Sequence, residues 1–286
     1  MTSEEMVSRL LYRDGLMLVI DKPAGMAVHA GPPNSRNQNE SVEDHFDSLR
    51  FGLPRPPALA HRLDRDTTGC LILGRHRKAL AQLGKLFRSG AVDKTYWAVV
   101  EGTPATEEGV IEFPLGRLDD TIGWWMKHDP KGQPAVTKWK VLARSFTSPW
   151  RGEVGGRSEQ REGRRVGVNF TTASPHPDVA LARAVDPPPP GEGKDLTWLE
   201  LEPLTGRTHQ LRVHCAEMGW PILGDSIYGN APRRGGPIQH LHAREVVVPL
   251  YKNRPPIRVT APVPAHMRDA LTACGWKDEK QNLAAE

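Results

Sequence analysis

Between His61 and Leu73 a charged segment runs without a break into an apolar one. The first part reads His61-Arg62-Leu63-Asp64-Arg65-Asp66-Thr67-Thr68-Gly69 and the second Cys70-Leu71-Ile72-Leu73. By length and composition the second part predicts a buried strand. Any fold of this chain must therefore hold a carboxylate a few residues from its interior. Unpaired charge there costs several kcal/mol. Asp64 is then either a capping or ion-paired structural carboxylate or one placed for chemistry. The Thr-Thr-Gly that follows also suits a turn.

Elsewhere short apolar-alternating stretches predict strands at 16–21, 94–101, 110–115, 136–142, 197–202, 241–248 and 257–261. Glu200 and Glu202 flank Leu199 and Leu201 at period two, as in an antiparallel strand with one face buried. Helices are fewer. Ser41-Val42-Glu43-Asp44 resembles a capping box opening a short helix to about residue 49. A second helix spans 76–89, with Leu80, Leu83, Leu86 and Phe87 on one face and Gly90 as its cap. Its other face carries Arg75, Arg77, Lys78, Lys85 and Arg88, either solvated or set against phosphates. Two more helices are expected at 207–218, closed by Gly219, and at 265–274 after Pro264. Many strands with few helices predict an α+β fold: a mixed, mainly antiparallel sheet with flanking helices.

Composition excludes more than it assigns. A chain of 286 residues holds one large or two small domains. No window approaches the roughly 18 apolar residues of a membrane helix, and the start of the chain, with Glu4 and Glu5, does not read as a signal peptide. Cys70, Cys215 and Cys274 are odd in number and far apart, which predicts reduced thiols and a cytoplasmic protein. A formal charge of +4 permits a nucleic-acid partner without requiring one. Phosphate-loop and dinucleotide fingerprints are both missing from the sequence, so no cofactor is expected. The 11 histidines form no metal-ligand spacing, so no metal is expected either and a zinc hydrolase is a weak rival.

One region stands apart. Residues 144–195 are rich in Gly, Pro, Arg and Glu, lack periodicity, and include four consecutive prolines, Pro187 to Pro190. Their wording resembles a translated repetitive DNA element. The expectation is a disordered or loosely structured insertion within a single catalytic domain spanning 1–286. The arginines of this insertion, such as Arg157 and Arg161, are balanced by glutamates.

Four motifs then share one resemblance. The nonapeptide at 61–69, the segment Leu18 to His29, Lys94-Thr95-Tyr96-Trp97-Ala98-Val99-Val100-Glu101-Gly102, and Thr205-Gly206-Arg207-Thr208-His209-Gln210-Leu211-Arg212-Val213-His214 with Pro221 to Asp225 and Tyr228-Gly229 behind it are similar, in order, to the RluA-type RNA pseudouridine synthases. Thr68 stands where serine is commoner, which keeps the hydroxyl. The resemblance implies a catalytic sheet split by an RNA-binding cleft, and an isomerisation that breaks the N1–C1′ bond of uridine, turns the uracil and rejoins it through C5. It implies Asp64 as the nucleophile, Tyr96 under the uracil and near C5, and Arg212 as the cation that keeps the buried carboxylate ionised. Arg62 is the implied residue for extruding the target nucleotide, and Leu211 lines the uracil pocket. His61, Thr67 and Arg207 join the substrate-binding set. His61, His209 and His214 carry no assigned chemistry and are expected to make structural hydrogen bonds. The implied partner is rRNA or tRNA, with no protein partner and a monomeric state. No extension precedes the first motif, so the small N-terminal RNA-binding module of some relatives is not expected. A non-catalytic RNA-binding protein on the same fold is the alternative.

Overall fold

Cys70-Leu71-Ile72-Leu73 does form a strand, and its alternation divides the interior. In the computed structural model, which describes residues 1–29, 40–119, 125–145 and 195–278, all seven residues of Thr68–Gly74 are buried. Leu71 and Leu73 pack with Met6, Val42, Phe46 and Leu49 on one face. Cys70 and Ile72 pack with Leu83 and Val246 on the other. The expected insertion lies outside the described residues from 146 to 194.

The strands in chain order are β1 (Leu10–Arg13), β2 (Met17–Lys22), β3 (Ala58–Leu59), β4 (Thr68–Gly74), β5 (Asp93–Glu101) and β6 (Glu108–Ile111). They continue with β7 (Leu115–Arg117), β8 (Met126–His128), β9 (Thr137–Arg144), β10 (Leu196–Pro203), β11 (Leu241–Val248) and β12 (Ile257–Thr260). The helices are α1 (Ser3–Ser8), α2 (Arg77–Arg88), α3 (Gln210–Glu217) and α4 (Ala265–Ala273), with a 3-10 helix at Val42–Leu49. Among the described residues the main sheet runs β1-β2-β4-β11-β5-β10-β9-β6, with β12 also on β11 and β3 on β4. Of its strand ladders only β4 with β11 is parallel, so the sheet is mixed and mainly antiparallel and the fold is α+β.

Both faces are covered. Ala98 and Val100 of β5 meet Leu211 and Cys215 of α3, while the intervening Val99 meets Met267 and Leu271 of α4. These side chains are almost wholly out of water; truncating one such leucine to alanine costs about 2–5 kcal/mol.

β11 positions the site by forking. Its His242 and Ala243 pair with Thr68 and Gly69 of β4, after which Glu245 to Val248 pair with β12. Across the strand Ala243 also faces Tyr96 of β5, so the end of the charged nonapeptide and Tyr96 flank one residue. Gly69 makes this possible. It adopts φ +100°, and a Cβ there would lie 2.3 Å from the Ala243 carbonyl oxygen.

Three expectations need correction. The helix expected from 207 starts at Gln210, because Gln210 uses its side chain to tie the preceding loop. Its Oε1 accepts from Thr205 Oγ1 at 2.7 Å and from the Arg207 amide at 3.0 Å, and its Nε2 donates to Val136 O and Thr137 Oγ1. His209 closes that loop in the left-handed region at φ 53°. The strand expected at 110–115 is two, β6 and β7, interrupted around Pro114, which has no amide to donate. Arg75, read with the basic face of α2, is committed to the carbonyls of Asp14, Arg50 and Phe51. The helix opening at Ser41 is present as a 3-10 helix, with Asp44 Oδ2 accepting from the Ser41 amide and hydroxyl. α2 begins at the His76 cap and ends before Gly90 at φ +69°, as its sequence signals.

Candidate active site

A cleft of about 590 Å³ opens beside the fork. All eight residues selected from the sequence line it: His61, Arg62, Asp64, Thr67, Tyr96, Arg207, Leu211 and Arg212. They come from four places in the chain, namely the loop before β4, the strand β5, the loop after β10 and the helix α3.

The loop before β4 is held from behind by a lysine. Leu18, Ile20 and Lys22 share one face of β2, and the pleat carries Lys22 into the interior, where it is fully buried. Its ammonium donates to three backbone carbonyls, Pro23 at 2.8 Å, Arg65 at 2.7 Å and Thr67 at 2.9 Å. Burial pushes its pKa down to about 7, against the opposing pull of Asp66 and Asp64. Arg65 Nε adds a bond to Gly25 O, the Thr67 amide donates to Asp64 O, and Thr68 Oγ1 shares a 2.8 Å bond with His242 Nδ1. The turn that presents Asp64 is thus fixed on every side.

Asp64 is mostly shielded, its side chain 18% exposed, and Arg212 Nη1 donates to its Oδ2 at 3.4 Å. Arg212 does form a two-pronged contact, but on another carboxylate. Arg212 Nε and Nη2 grip Asp225 at 2.7 and 2.9 Å, so Asp64 receives only the remaining nitrogen. Asp225 Oδ1 also accepts from the Ile227 and Tyr228 amides, and Oδ2 from Gln239. Burial opposes its ionisation, yet Arg212 and the two amides hold its carboxyl below the usual carboxylate range. His209 Nε2 stands 3.9 Å from Asp64, and its Nδ1 shares a 2.7 Å hydrogen bond with Tyr228 OH. Burial keeps His209 below the ordinary histidine range, so this imidazole is neutral near pH 7.

Tyr96 lies between β10 and β11, opposite Leu201 and Ala243. Burial raises its phenol strongly, and the charge of Asp64 adds to the effect. It therefore stays protonated at neutral pH. Leu211 is 7% exposed and belongs both to the cleft lining and to the core beneath. Arg207 is exposed at the rim, with Nε tied to Pro134 O. His61 accepts the Ile72 amide at Nε2 and stacks on Phe87 at 4.8 Å, and burial pushes it down to about 4. His214 bonds to Thr137 Oγ1 and Phe113 O, remote from the cleft lining. Both histidines make hydrogen bonds of the kind the sequence suggested.

Sequence reasoning left Lys22, Asp225 and Tyr228 without roles. Lys22 was detectable, because continuing the alternation Leu18, Ile20 places it inside. Asp225 stands in the matched segment Pro221 to Asp225, but the Gly224-Asp225 pair also suits a plain turn and gave it no role. Among the described residues no three His, Cys, Asp or Glu side chains cluster to hold a metal, and no helix is long and apolar enough to cross a membrane.

This arrangement has counterparts. The family model for RNA pseudouridylate synthase matches residues 16–217. An uncharacterized RNA pseudouridine synthase of Zymomonas mobilis is 34% identical over 92% of this chain and 97% of its own length. The ribosomal large subunit pseudouridine synthase C of Vibrio cholerae is 28% identical over 92% of this chain and 68% of its own. Among solved structures, human RNA pseudouridylate synthase domain containing 4 superimposes with a TM-score of 0.65 at 23% identity, covering 96% of each chain. The chain is therefore an RNA-modifying isomerase by class, and it belongs to the RluA-type family of RNA pseudouridine synthases.

Proposed function

We propose that this protein converts specific uridines of rRNA or tRNA to pseudouridine, with Asp64 as the attacking carboxylate. The observation that carries the reading is the pairing of Asp64 with one free nitrogen of an arginine already locked to a second carboxylate, at 3.4 Å, inside a cleft that also contains Tyr96. A nucleophilic carboxylate must be ionised although shielded, and a fixed neighbouring cation supplies that. Because Asp225 takes the bidentate face of Arg212, the guanidinium is oriented without closing off Asp64. Among the described residues Asp64 Oδ1 makes no side-chain hydrogen bond or ion pair, which leaves it available to attack.

The reaction needs no oxidant and no donated group. The Asp64 carboxylate adds to the nucleotide, at C1′ or at C6, and the N1–C1′ bond breaks. The uracil turns within the pocket, a C5–C1′ bond forms, and the bond to Asp64 is released as C5 loses its proton and N1 gains one. Tyr96 supports the base from below and, being protonated, acts through its ring and hydroxyl rather than as a phenolate. The C5 proton then falls to an ionised group of the pocket. Asp64, once returned to its carboxylate form, is the residue placed to accept it. Arg62, exposed at the mouth, fills the space left by the extruded nucleotide. In this reading the protein is cytoplasmic, works as a monomer, and carries 144–195 as an insertion in one catalytic domain.

The test is carbodiimide mapping of pseudouridine in total RNA of the host, with and without the protein. A site that disappears on deletion and returns with wild type but not with Asp64→Asn would establish the substrate and the nucleophile together. No change at any rRNA or tRNA site would favour the non-catalytic RNA-binding alternative.

A further inference from the structure

Lys94 takes no part in the chemistry just described, yet it stands beside it. It precedes Tyr96 by two residues in β5, so the two side chains share a face of the strand and are separated by about 7 Å along it. Both line the cleft. Lys94 is half-buried, and among the described residues its ammonium makes no hydrogen bond or ion pair. Burial holds its pKa below the ordinary lysine range, with Asp93 only partly opposing. A shielded ammonium whose counter-charge offsets its burial only in part is destabilising, and a methionine would fill the position at no such cost.

Its surroundings deepen the deficit. Arg88, in the last turn of α2, and Arg62 line the same cleft, and their side chains are equally without a hydrogen bond or ion pair among the described residues. His61, stacked on Phe87 next to Arg88, is neutral and gives Lys94 no negative partner. The one carboxylate lining the cleft is Asp64, and it already faces Arg212. Among the described residues no anion completes this side of the cleft.

We propose that Lys94, with Arg88 beside it, is a phosphodiester-binding site that takes the backbone phosphate of a nucleotide adjacent to the uridine stacked on Tyr96. The inference rests on the reading of the cleft as an RNA site. A compact ammonium suits one phosphate oxygen at a fixed depth, while the exposed Arg88 follows the strand outward. The protein accepts a stability cost in the free state that RNA binding removes.

The experiment measures binding of a fluorescein-labelled RNA hairpin with loop uridines, by anisotropy, over about 50 to 200 mM KCl. Each phosphate contact adds roughly 0.7 to 0.9 to the slope of log affinity against log salt concentration. Lys94→Met is expected to flatten the slope by about that amount, with Lys94→Arg restoring it. Its melting temperature should equal or exceed that of wild type, because an unpaired charge has been removed. The slope decides. An unchanged slope overturns the proposal, and an affinity loss at unchanged slope would assign Lys94 to a base carbonyl instead. Failure of the catalytic reading shows separately, as wild type that binds the hairpin with the full slope while forming no pseudouridine in any host RNA.

Discussion

Arg212 and Lys94 both place a cation in one cleft, and they differ in what answers it. Arg212 has its donors matched by two carboxylates, Asp225 through a fork and Asp64 through a single contact. The side chains of Lys94, Arg88 and Arg62 make no hydrogen bond or ion pair among the described residues, and Asp93 offsets the burial of Lys94 only in part. A charge satisfied within the fold is fixed before substrate arrives, which is what a reacting carboxylate needs of its neighbour. A charge left open has its partner outside. The cleft thus separates a preorganised floor from a side that is incomplete until RNA binds.

The contrast breaks most severely at Asp225. Asp225→Asn removes the fork and leaves Arg212 buried with only Asp64 beside it. Breaking a buried pair in this way costs about 3–5 kcal/mol. Denaturant unfolding should show a loss of that size, and turnover should fall even in the fraction that stays folded. Near-normal stability and turnover would mean that Asp64 alone suffices to hold Arg212. Removing Lys94 from the open side should have the opposite sign on stability, and that reversal is what the comparison rests on.

How much of this was legible in the sequence follows the same division. The strands declared themselves by alternation, and β11 matches its expected bounds of 241–248. All eight chosen residues do meet in one cleft, because the sheet brings together the three motifs that carry them, in the loop before β4, in β5, and in the loop and helix α3 after β10. Arg212 does reach Asp64, but that its fork faces Asp225 was not legible, for a physical reason. Asp64 and Asp225 are both plausible for an arginine fork, and sequence spacing contains no information on which one the guanidinium plane faces. The start of α3 was misjudged because Gln210 stabilises a non-helical loop through its side chain, a long-range effect that helix periodicity cannot register. Lys22 was missed although the alternation of β2 pointed to it. α1 and β1 were missed as well, since elements of six and four residues are too short to set a period.

A smaller effect concerns acid. His61, His209, His214, His240, His242 and His266 are all held below the ordinary histidine range by burial, His61 to about 4 and His242 to about 3. In the unfolded chain each would titrate near 6.5. Between those limits the unfolded state binds more protons, so stability is full above about 6.5 and declines as pH falls toward 4. Melting temperature measured downward from about pH 7 should drop steadily across this window. A flat profile would mean that these rings are less shielded than the structure has them, His61 beside the open side included.

The smallest effect is expected where neither side of the comparison reaches. The Ser145 amide donates to Leu196 O at 2.8 Å, and Leu196 N to Ser145 Oγ at 2.8 Å, so β9 and β10 already meet at the point where 146–194 departs. Replacing residues 148–192 by a short turn should leave melting temperature and turnover nearly unchanged. Loss of turnover in a folded deletion variant would bring that segment into the site.

The central claim is that Asp64, aimed and kept ionised by Arg212, performs the reaction. Single-turnover pseudouridine formation on RNA from a host lacking the protein tests it most directly, with wild type and Asp64→Asn compared at saturating enzyme. The account predicts that Asp64→Asn binds the RNA and forms no detectable pseudouridine. Pseudouridine formation by Asp64→Asn at a rate comparable to wild type would contradict it.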